Sequence, residues 1–362
     1  MWTPQRAFHV VLLYQIEISL LQLVTWISQD MYAFVVVVYV LQLTLTQGLF
    51  LGAPLGARRT KQIKQIAVTG STGLLGKALC ERLLDRGIAV KSVSTRDGGE
   101  LPIDVFKGCE MVVHLAGENI ASGSLESPFA LLGAWTEKKK IAIMSSRVEG
   151  TRAVVNAINN MPRGTGPSVL VCASAVGLYG YNDNDGQVFT ESGLQGGGFL
   201  AEVVAAWEGE AAKLRKGVRL VNTRFGVVLS TKGGVLAKLR PIFNLAAGGN
   251  LGDGTQGFSF VSIDDAVRAI EFAIDNSKVT GPVNVCSPEP VTNAEFTQAL
   301  GKALGRPAIF PVPQLVGSLV FGEFGNEVLF GGQNVVPKKL TDLGFKFDDI
   351  FIDSTVNRLI NG

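Results

Sequence analysis

The chain has few histidines and cysteines, and those it has are widely separated. Among its 362 residues only two are histidine, His9 and His114, and the four cysteines are Cys80, Cys109, Cys172 and Cys286. Spacing this wide provides no local His/Cys motif for a metal ion and no disulfide framework. We therefore expect no metal site, and free buried thiols in a reducing compartment.

The chain also lacks a charge excess of either sign. Its 33 Lys and Arg residues stand against 31 Asp and Glu residues, which gives a formal net charge of +2 at pH 7. Proteins that bind nucleic acids usually carry a basic excess or a basic stripe, so we expect no nucleic-acid partner. A hydrophobic fraction of 47% over this length is typical of a globular chain with one large domain or two smaller ones.

Residues 1–60 form a hydrophobic leader that differs in composition from the rest. Residues 31–57 contain no charged side chain and are followed by a basic flank, Arg58, Arg59, Lys61 and Lys64. A bilayer core needs about 20 apolar residues, and basic residues favour the side that is not translocated. Three interpretations stay open: a membrane anchor through 31–57, a removable signal or organelle-targeting segment, and a wrongly assigned gene start. The leader is poor in Ser and Arg, so it resembles the signal-like part of a two-step organelle address more than a simple transit peptide.

After the leader, the sequence predicts a strand, a glycine-rich turn and a helix. Residues 62–69 are an apolar run typical of a buried parallel strand. In that context Gly70 permits a tight turn, Gly73 lets a pyrophosphate approach the backbone, and Gly76 lets the helix pack on the strand. The helix N-terminus adds free N–H groups and a positive dipole. We predict that a dinucleotide binds along Thr69, Gly70, Ser71, Thr72, Gly73, Leu74, Leu75 and Gly76.

The residue after the second predicted strand indicates which dinucleotide is bound. That strand covers 89–94 and ends in Thr95 and Arg96 rather than in the acidic residue that would bond a ribose 2′-hydroxyl. An arginine at this position can accommodate a 2′-phosphate. The sequence therefore favours NADP(H) over NAD(H), with a solvated surface arginine as the alternative interpretation of Arg96.

A series of motifs resembles the extended short-chain dehydrogenase/reductases. Within that superfamily the chain is similar to the atypical NAD(P)-dependent epimerase/dehydratase-like proteins of the SDR39U1 or YfcH type. The motifs span nearly all of residues 64–350 and keep the family's order. They are TGSTGLLG (69–76), VVHLAGENI (112–120), WTEKKKIAIMSSRVEGTR (135–152), SAVGLYG (174–180), FLAEVVAAWE (199–208), RFGVVLSTKGG (224–234), FVSIDDAVRAI (260–270), GPVNVCSPEPVTNAEF (281–296), GGQNVVPKKL (331–340) and GFKF (344–347).

The resemblance implies an α/β fold, a doubly wound parallel (Rossmann) sheet with a small C-terminal substrate cap. We expect the leader at 1–60, a cofactor domain at 61–285 that includes cap loops at 231–257, and a cap with a family extension at 286–362. A strand at 111–115 would deliver its end to the cofactor. The residues assigned to cofactor binding there are His114, Leu115, Ala116 and Gly117, together with Arg147 on a following helix.

Two of these assignments have alternatives. His114 either lies near the nicotinamide ribose, as the resemblance implies, or caps backbone at the strand end. Arg147 reaches either the phosphates or a neighbouring strand. Two helix starts are also predicted, with Asp264 and Asn293 as the N-caps.

The superfamily's usual catalytic dyad is missing. That chemistry uses a tyrosine with a lysine four residues later, and no Tyr-x-x-x-Lys occurs among the five tyrosines. The helix expected to carry it begins FLAEV at Phe199. Ser174, at the superfamily's position for a substrate-orienting hydroxyl, remains, and the titratable groups predicted near it are Tyr179 and Glu202. The gap between Arg96 and Glu110 is also too short for a complete third strand and its crossover helix.

Two functions therefore stay open. The first is an NADP(H)-dependent oxidoreductase or epimerase for a small substrate that the sequence does not identify, using Ser174, Tyr179 and Glu202. The second is a non-catalytic dinucleotide-binding scaffold or regulator in organelle assembly or division. The resemblance implies an organelle location, with a plastid favoured over a mitochondrion.

Overall fold

The computed structural model describes residues 63–96, 99–121, 135–181 and 186–362. The predicted leader, with the membrane anchor suggested for 31–57, lies outside these residues. In the part of the chain that is described, no helix is both long enough and apolar enough to cross a bilayer. The segment Ile63–Gly362 is one contact unit, and the predicted boundary at 285/286 falls inside it.

The described residues alternate between strands and helices through most of their length. The strands are β1 (Gln65–Thr69), β2 (Ala89–Val93), β3 (Met111–His114), β4 (Val169–Ala175), β5 (Val188–Phe189), β6 (Arg219–Phe225), β7 (Val227–Ser230), β8 (Gly257–Phe258), β9 (Phe260–Ser262), β10 (Gly281–Val285), β11 (Val291–Thr292) and β12 (Asn334–Val335). The helices are α1 (Leu74–Asp85), α2 (Glu137–Asn160), α3 (Phe199–Ala211), α4 (Gly234–Asn244), α5 (Ile263–Asp275), α6 (Asn293–Leu304), α7 (Gln314–Phe324), α8 (Lys338–Asp342) and α9 (Ile352–Asn361). A 3₁₀ turn (Val176–Tyr179) follows β4, and a π turn (Gly325–Leu329) follows α7.

Six of these strands form one parallel sheet in the order β10-β6-β4-β3-β1-β2. Both of its faces are covered. On β1, Ile66 and Val68 join the apolar layer that contains residues of α1 and α5, while Ala67 joins the layer that contains residues of α2 and α3. All three side chains are fully buried, which explains why the strand is apolar at consecutive positions. The predicted doubly wound α/β fold is confirmed.

The third strand of the usual topology is absent from the described residues. After β2 the described chain passes through turns at 103–108 before it enters β3. Phe106 is fully buried and Cys109 nearly so, both in the layer under α2. This stretch therefore fills the core without adding a strand, as the short spacing predicted. The strand order reverses between β1 and β3, and at such a switch point open α/β sheets bind ligands.

Both predicted helix caps are wrong by one or two residues. Helix α5 is capped by Ser262, whose hydroxyl accepts from the Asp265 amide at 3.2 Å. Helix α6 is capped by Thr292 in a capping box with Glu295. In both cases a hydroxyl stands directly before the first helical residue and accepts from the third helical amide, which satisfies an end N–H that the helix itself leaves free.

The C-terminal part packs into the rest of the fold. Leu340 and Phe345 belong to the same apolar cluster as Ile66 of β1. Ile352 and Val356 of α9 pack in a second cluster with Phe260 and Phe296. The predicted cap loops at 231–257 contain one regular helix, α4, between stretches of irregular backbone.

Candidate functional site

The turn from β1 into α1 requires glycine at two positions. Gly70 has φ +69°, and a Cβ there would lie 2.8 Å from the backbone of Leu115 and Ala116. A Cβ on Gly76 would lie 2.1 Å from the carbonyl oxygen of Gly70. The turn is closed by a hydrogen bond in which the Gly73 amide donates to that same carbonyl at 3.0 Å. Helix and turn are therefore in direct backbone contact.

The N-terminus of α1 is open. Gly73 is its N-cap, and no side chain of the described residues accepts from the first amides of the helix. Thr72 and Gly73 are both exposed. Free amides at a helix start, with the positive end of the helix dipole, attract an anion. The shape and the donors of this turn therefore fit a phosphate group.

The end of β3 lies beside this turn. The Leu115 amide donates to the carbonyl of Thr69 at 3.2 Å, and the backbone of Leu115 and Ala116 lies close against Gly70. The predicted residues at the ends of β1 and β3 are thus brought together at the carboxyl edge of the sheet. Parallel strands make this edge the place where ligands bind.

Arg147 lies over the next residue of this loop. A Cβ on Gly117 would lie 3.4 Å from the Arg147 guanidinium carbon, so glycine gives this side chain its room. One guanidinium nitrogen donates to the carbonyls of Glu118, at 3.0 Å, and Ile143, at 3.2 Å. The group also lies 5.3 Å from the centre of the Trp207 ring. Burial lowers the pKa of Arg147 to about 10.

His114 is enclosed behind the loop. Its side chain is fully buried, with Nδ1 2.6 Å from the Thr69 hydroxyl and Nε2 3.1 Å from the Thr151 hydroxyl. Burial lowers its pKa to about 4, so the ring is neutral at physiological pH. The imidazole thus connects β1, β3 and α2.

Arg96 follows the end of β2 and is exposed. Its backbone amide donates to the Ser94 hydroxyl at 3.3 Å. Within the described chain, no carboxylate pairs with its guanidinium. The side chain is therefore available to a ligand phosphate.

Ser174 and Tyr179 are members of one buried polar network. The Ser174 hydroxyl donates to Glu208 at 2.6 Å, and Arg224 holds both oxygens of that carboxylate at 2.8 Å each. Arg224 also donates to the Tyr179 hydroxyl at 3.0 Å, and this hydroxyl donates to Asn284 at 2.6 Å. The network therefore links β4, α3, β6, β10 and the 3₁₀ turn.

Both predicted hydroxyl groups are thereby largely enclosed. Ser174 is 3% exposed and Tyr179 is fully buried. Burial raises the pKa of Tyr179 despite the neighbouring Arg224, which is the opposite of what a proton-exchanging phenolate at neutral pH requires. Arg224 lies within β6.

Neither Glu208 nor Arg224 is among the site residues predicted from the sequence. The Glu208 carboxylate faces inward, toward Ser174 and Arg224. A signal was present, because Ala201, Val204 and Ala211 are buried and share with residue 208 a spacing of three or four along α3.

Glu202 lies apart from this network, on the rim of a cavity. The cavity has a volume of about 530 Å³ and lies between the start of α3 and the segment around α7. Its lining includes Lys140, Tyr181, Phe199, Glu202, Glu323 and Glu327. Glu202 is exposed. The sequence predicts Glu202 near Ser174. In the described chain, however, Glu202 makes no hydrogen bond to the network that contains Ser174.

The cavity walls are held by two contacts to the C-terminal segment. Glu327 accepts from the first amides of α3, from Phe199 at 2.6 Å and from Leu200 at 2.9 Å. Its burial raises its pKa even though these amides act in the other direction. Lys140 of α2 pairs with Glu323 at 2.8 Å. Helix α3 is thus capped by a carboxylate from another element, a role that no residue at its own start fills.

The described residues hold no group of three or more His, Cys, Asp or Glu side chains that could bind a metal ion. All four cysteines are free thiols. The candidate site consists of the backbone amides of the β1–α1 turn, the side chains of Arg96 and Arg147, and the polar cavity at the start of α3.

A doubly wound sheet with an open glycine turn at its switch point defines the class of dinucleotide-binding α/β proteins. The profile of the NAD dependent epimerase/dehydratase family matches residues 66–286, and a domain of unknown function (DUF1731) matches residues 312–359. The chain belongs to the NAD dependent epimerase/dehydratase family.

Individual relatives agree with this assignment and with the resemblance seen in the sequence. The chloroplastic SDR39U1 homologue of Arabidopsis thaliana is 36% identical over 303 residues, which cover 82% of this chain and 86% of that protein. Human SDR39U1 is 33% identical over 290 residues, covering 78% of this chain and 95% of that protein.

Two solved structures are similar in fold and sequence. The crystal structure of human SDR39U1 (isoform 2) with NADPH has a TM-score of 0.74 and 29% identity, and the match covers 82% of this chain and 99% of that one. The nucleoside-diphosphate sugar epimerase of Corynebacterium glutamicum has a TM-score of 0.65 and 29% identity, with coverage of 83% and 59%.

Proposed function

We propose that the chain binds NADP(H) across the β1–α1 turn. The observation that carries this proposal is the open turn itself. Backbone contact excludes side chains at Gly70 and Gly76, and among the described residues no side chain caps the first amides of α1. The similarity to human SDR39U1, a protein crystallised with NADPH, supports the choice of ligand. Thr69 to Gly76 would hold the pyrophosphate through backbone amides.

Arg96 would select the phosphorylated dinucleotide. It is exposed at the end of β2, without a carboxylate partner in the described chain. A guanidinium forms strong, often paired hydrogen bonds with a phosphate. Residues 94–96, directly after β2, include no acidic side chain to bond a free 2′-hydroxyl, and the first one is Asp97, beyond Arg96.

The remaining predicted residues would act on the other half of the cofactor. Leu115, Ala116 and Gly117 would offer backbone beside the turn, and Arg147 would stiffen this loop through its bond to Glu118. We assign His114 a positioning role, since both ring nitrogens are occupied by Thr69 and Thr151. Bound NADP(H) supplies a hydride donor or acceptor.

We further propose that a small substrate occupies the cavity at the start of α3, in an oxidoreductase or epimerase reaction. Three acidic side chains line this cavity. Glu323 pairs with Lys140 and Glu327 accepts from two amides of α3, whereas Glu202 is exposed and makes no ion pair within the described chain. In this role it would exchange a proton with the substrate. The C-terminal segment would determine specificity, because Glu323 and Glu327 form part of the wall.

We place the protein in a plastid. The support is the chloroplastic relative from Arabidopsis thaliana together with the sequence character of the leader. Import of a fluorescent fusion of the full chain into isolated chloroplasts tests this location, and exclusion from chloroplasts would contradict it.

Thermal unfolding in the presence of nucleotides tests the cofactor proposal. Saturating NADPH should raise the melting temperature by about 5 °C, because a ligand that binds only the native state stabilises it. The variant Arg96→Ala should bind NADPH roughly tenfold more weakly and NADH unchanged. Arg163→Ala, also an exposed arginine, is the matched control and should behave as wild type. No shift with either nucleotide would refute the proposal.

A second function, a non-catalytic NADP(H)-binding protein of plastid assembly or division, is favoured by one observation. Phe199 and Val203 are apolar at the start of α3, where the sequence comparison expects the proton-exchanging pair, and Ser174 and Tyr179 are tied into a buried network. NADPH absorbance followed across a panel of carbonyl compounds separates the two. Turnover that Glu202→Gln abolishes supports the enzyme, and bound NADPH without turnover on any compound supports the second function.

A further inference from the structure

An apolar surface outside the proposed site is formed where the end of α4 meets the start of α7. We call it the α4–α7 face and define it by Ile242, Leu245, Ile309, Phe310, Leu315 and Leu319. Leu245 is 81% exposed, Leu319 78% and Leu315 74%. Single exposed apolar residues are common, but a group of six is the kind of surface that contacts a partner or a membrane.

Backbone hydrogen bonds bring the two segments of this face together. The Phe310 amide donates to the Gly248 carbonyl at 3.0 Å, and the Val312 amide donates to the Asn250 carbonyl at 2.8 Å. Gly249 lies so close to Phe310 that a Cβ would come 2.0 Å from its carbonyl oxygen. These backbone contacts therefore fix the position of one segment of the face against the other.

Helix α7 shows why one side of it stays outside. Its inner side packs on the segment that follows, where Gly317 lies against the ring of Phe330. A kink at Gly322 separates this part of the helix from Phe324. Leu315 and Leu319 are four residues apart and share the other side. Ile242 of α4 and Leu245, which directly follows that helix, are three residues apart and both exposed. Both segments thus expose large apolar side chains.

Basic side chains outnumber acidic ones around this face. Residues 231–253 and 301–323 together contain five basic and two acidic side chains. The acidic residues are Asp253 and Glu323, and Glu323 pairs with Lys140. The basic residues are Lys232, Lys238, Arg240, Lys302 and Arg306, all exposed. Lys302 lies 3.7 Å from Asp353, and the other four make no ion pair with a carboxylate of the described chain. The face therefore combines an apolar centre with a cationic border.

We propose that the α4–α7 face docks on the surface of an anionic lipid bilayer. Apolar side chains would enter the boundary between headgroups and acyl chains, while Lys and Arg contact the lipid phosphates. A second copy of the chain fits less well, because a symmetric contact would bring two cationic borders together. The docking is peripheral and does not depend on any segment that crosses the membrane.

The test is a fluorescence measurement of local insertion on the full chain. Leu319→Cys, labelled with an environment-sensitive fluorophore, is mixed with vesicles of equal parts phosphatidylcholine and phosphatidylglycerol, or of phosphatidylcholine alone. Leu84→Cys, an exposed leucine on α1, carries the control label. Unmodified chain treated in the same way corrects for the native thiols. A local probe is used because the leader could hold the chain on vesicles by itself.

We expect a blue shift and a several-fold rise in emission at position 319 on the anionic vesicles only, and no change at position 84. Charge reversal by Arg240→Glu and Arg306→Glu should weaken this response roughly tenfold or more. Lys216→Glu with Lys278→Glu, at exposed sites on other surfaces, should leave it unchanged.

Three outcomes overturn the proposal. One is the absence of any change at position 319 on anionic vesicles. Another is an equal response on neutral vesicles that charge reversal does not reduce. The third is a change that depends on protein concentration without lipid and accompanies dimer formation in sedimentation, which would make the face an interface between copies.

Discussion

The role of Ser174 depends on the residues that surround it. Its hydroxyl already donates to Glu208, which Arg224 holds from the other side. Burial alone would lower the pKa of Arg224, but its bonds to Glu208 raise it, so the pair stays charged. A buried pair of this kind costs desolvation, and removing one partner leaves the other charge unpaired. Loss of either partner should therefore disturb the packing of α3 against β4 and β6.

Replacing Arg224 should be far more damaging than replacing Ser174. Arg224→Met leaves the Glu208 carboxylate without its cation, and we expect a loss of about 3–5 kcal/mol of unfolding free energy. Ser174→Ala removes one hydrogen bond to that carboxylate and should cost about 2 kcal/mol. Urea unfolding of both variants measures the difference.

The double variant Arg224→Met with Glu208→Gln is the control for this interpretation. It should recover part of the loss, because neither residue then carries an unpaired charge. Equal losses for Ser174→Ala and Arg224→Met, with no recovery in the double variant, would contradict the structural role of the network.

His114 should make the fold sensitive to mild acid. Its pKa is lowered by burial to about 4, whereas an unfolded histidine has a pKa of about 6.5. As the pH falls from 7 to 4, the unfolded chain takes up a proton that the folded chain refuses, so stability falls, by about 3 kcal/mol in total. His114→Gln keeps hydrogen-bonding capacity toward Thr69 and Thr151 but cannot become charged in this range.

Urea unfolding at several pH values checks this expectation. Carboxylates titrate in both proteins, so the informative quantity is the difference between wild type and His114→Gln. That difference should grow in favour of the variant as the pH falls below 6.5. A difference that is constant from pH 7 to pH 4 would show that His114 is not the group responsible.

At the scale of elements, the contact between the β1–α1 turn and helix α1 should be sensitive to a single methyl group. A Cβ at position 76 would lie 2.1 Å from a backbone oxygen that cannot move aside. We expect Gly76→Ala to lower the free energy of unfolding by several kcal/mol or to displace α1, because the backbone that the methyl group meets cannot move without distorting the turn. NADPH binding should weaken along with stability.

Gly209→Ala is the matched control, since Gly209 is also helical but has no atom within 4 Å of its added Cβ. Alanine is the better helix former, so this variant should be neutral or gain about 0.5–1 kcal/mol. Thermal melts of the two variants compare them directly. A Gly76→Ala protein that melts like wild type would mean that helix and turn are not in contact.

Local elements could be predicted from the sequence, whereas contacts between distant elements could not. The first strand, the glycine turn and α1 follow one another, so apolar runs and glycine spacing were sufficient to predict them. The shortened region before β3 was also predictable, because chain length alone limits what it can form. In contrast, the Ser174–Glu208–Arg224 network joins β4, α3 and β6. The apolar spacing along α3 indicates that residue 208 faces inward, but it does not show which residues of β4 and β6 the carboxylate contacts.

The contacts that the C-terminal segment makes with the rest of the fold could not be predicted from the sequence either. Its match to a domain of unknown function suggests an appended unit, but it supplies Glu327 as the cap of α3 and Phe345 to the central apolar cluster. The prolines and short periodic runs of this segment predict neither of these contacts. Whether a segment is separable depends on where its buried side chains lie, and here they lie inside the main core.

At the scale of the whole molecule, this shared core predicts that removal of residues 312–362 abolishes folding. The deletion exposes the surfaces that bury Leu340, Phe345, Ile352 and Val356. Loss of burial costs about 2 kcal/mol or more for each of these four side chains. The sum is comparable with the free energy of unfolding of a typical domain, about 5–15 kcal/mol. We expect a chain ending at Pro311 to show no cooperative transition in calorimetry and no NADPH-dependent shift. A chain lacking residues 1–60 is the control, since it keeps the whole of Ile63–Gly362 and should melt in one transition that NADPH raises. If the chain ending at Pro311 also melted cooperatively and responded to NADPH, the nucleotide-binding part would be an independent domain and the shared core would not be needed for its stability.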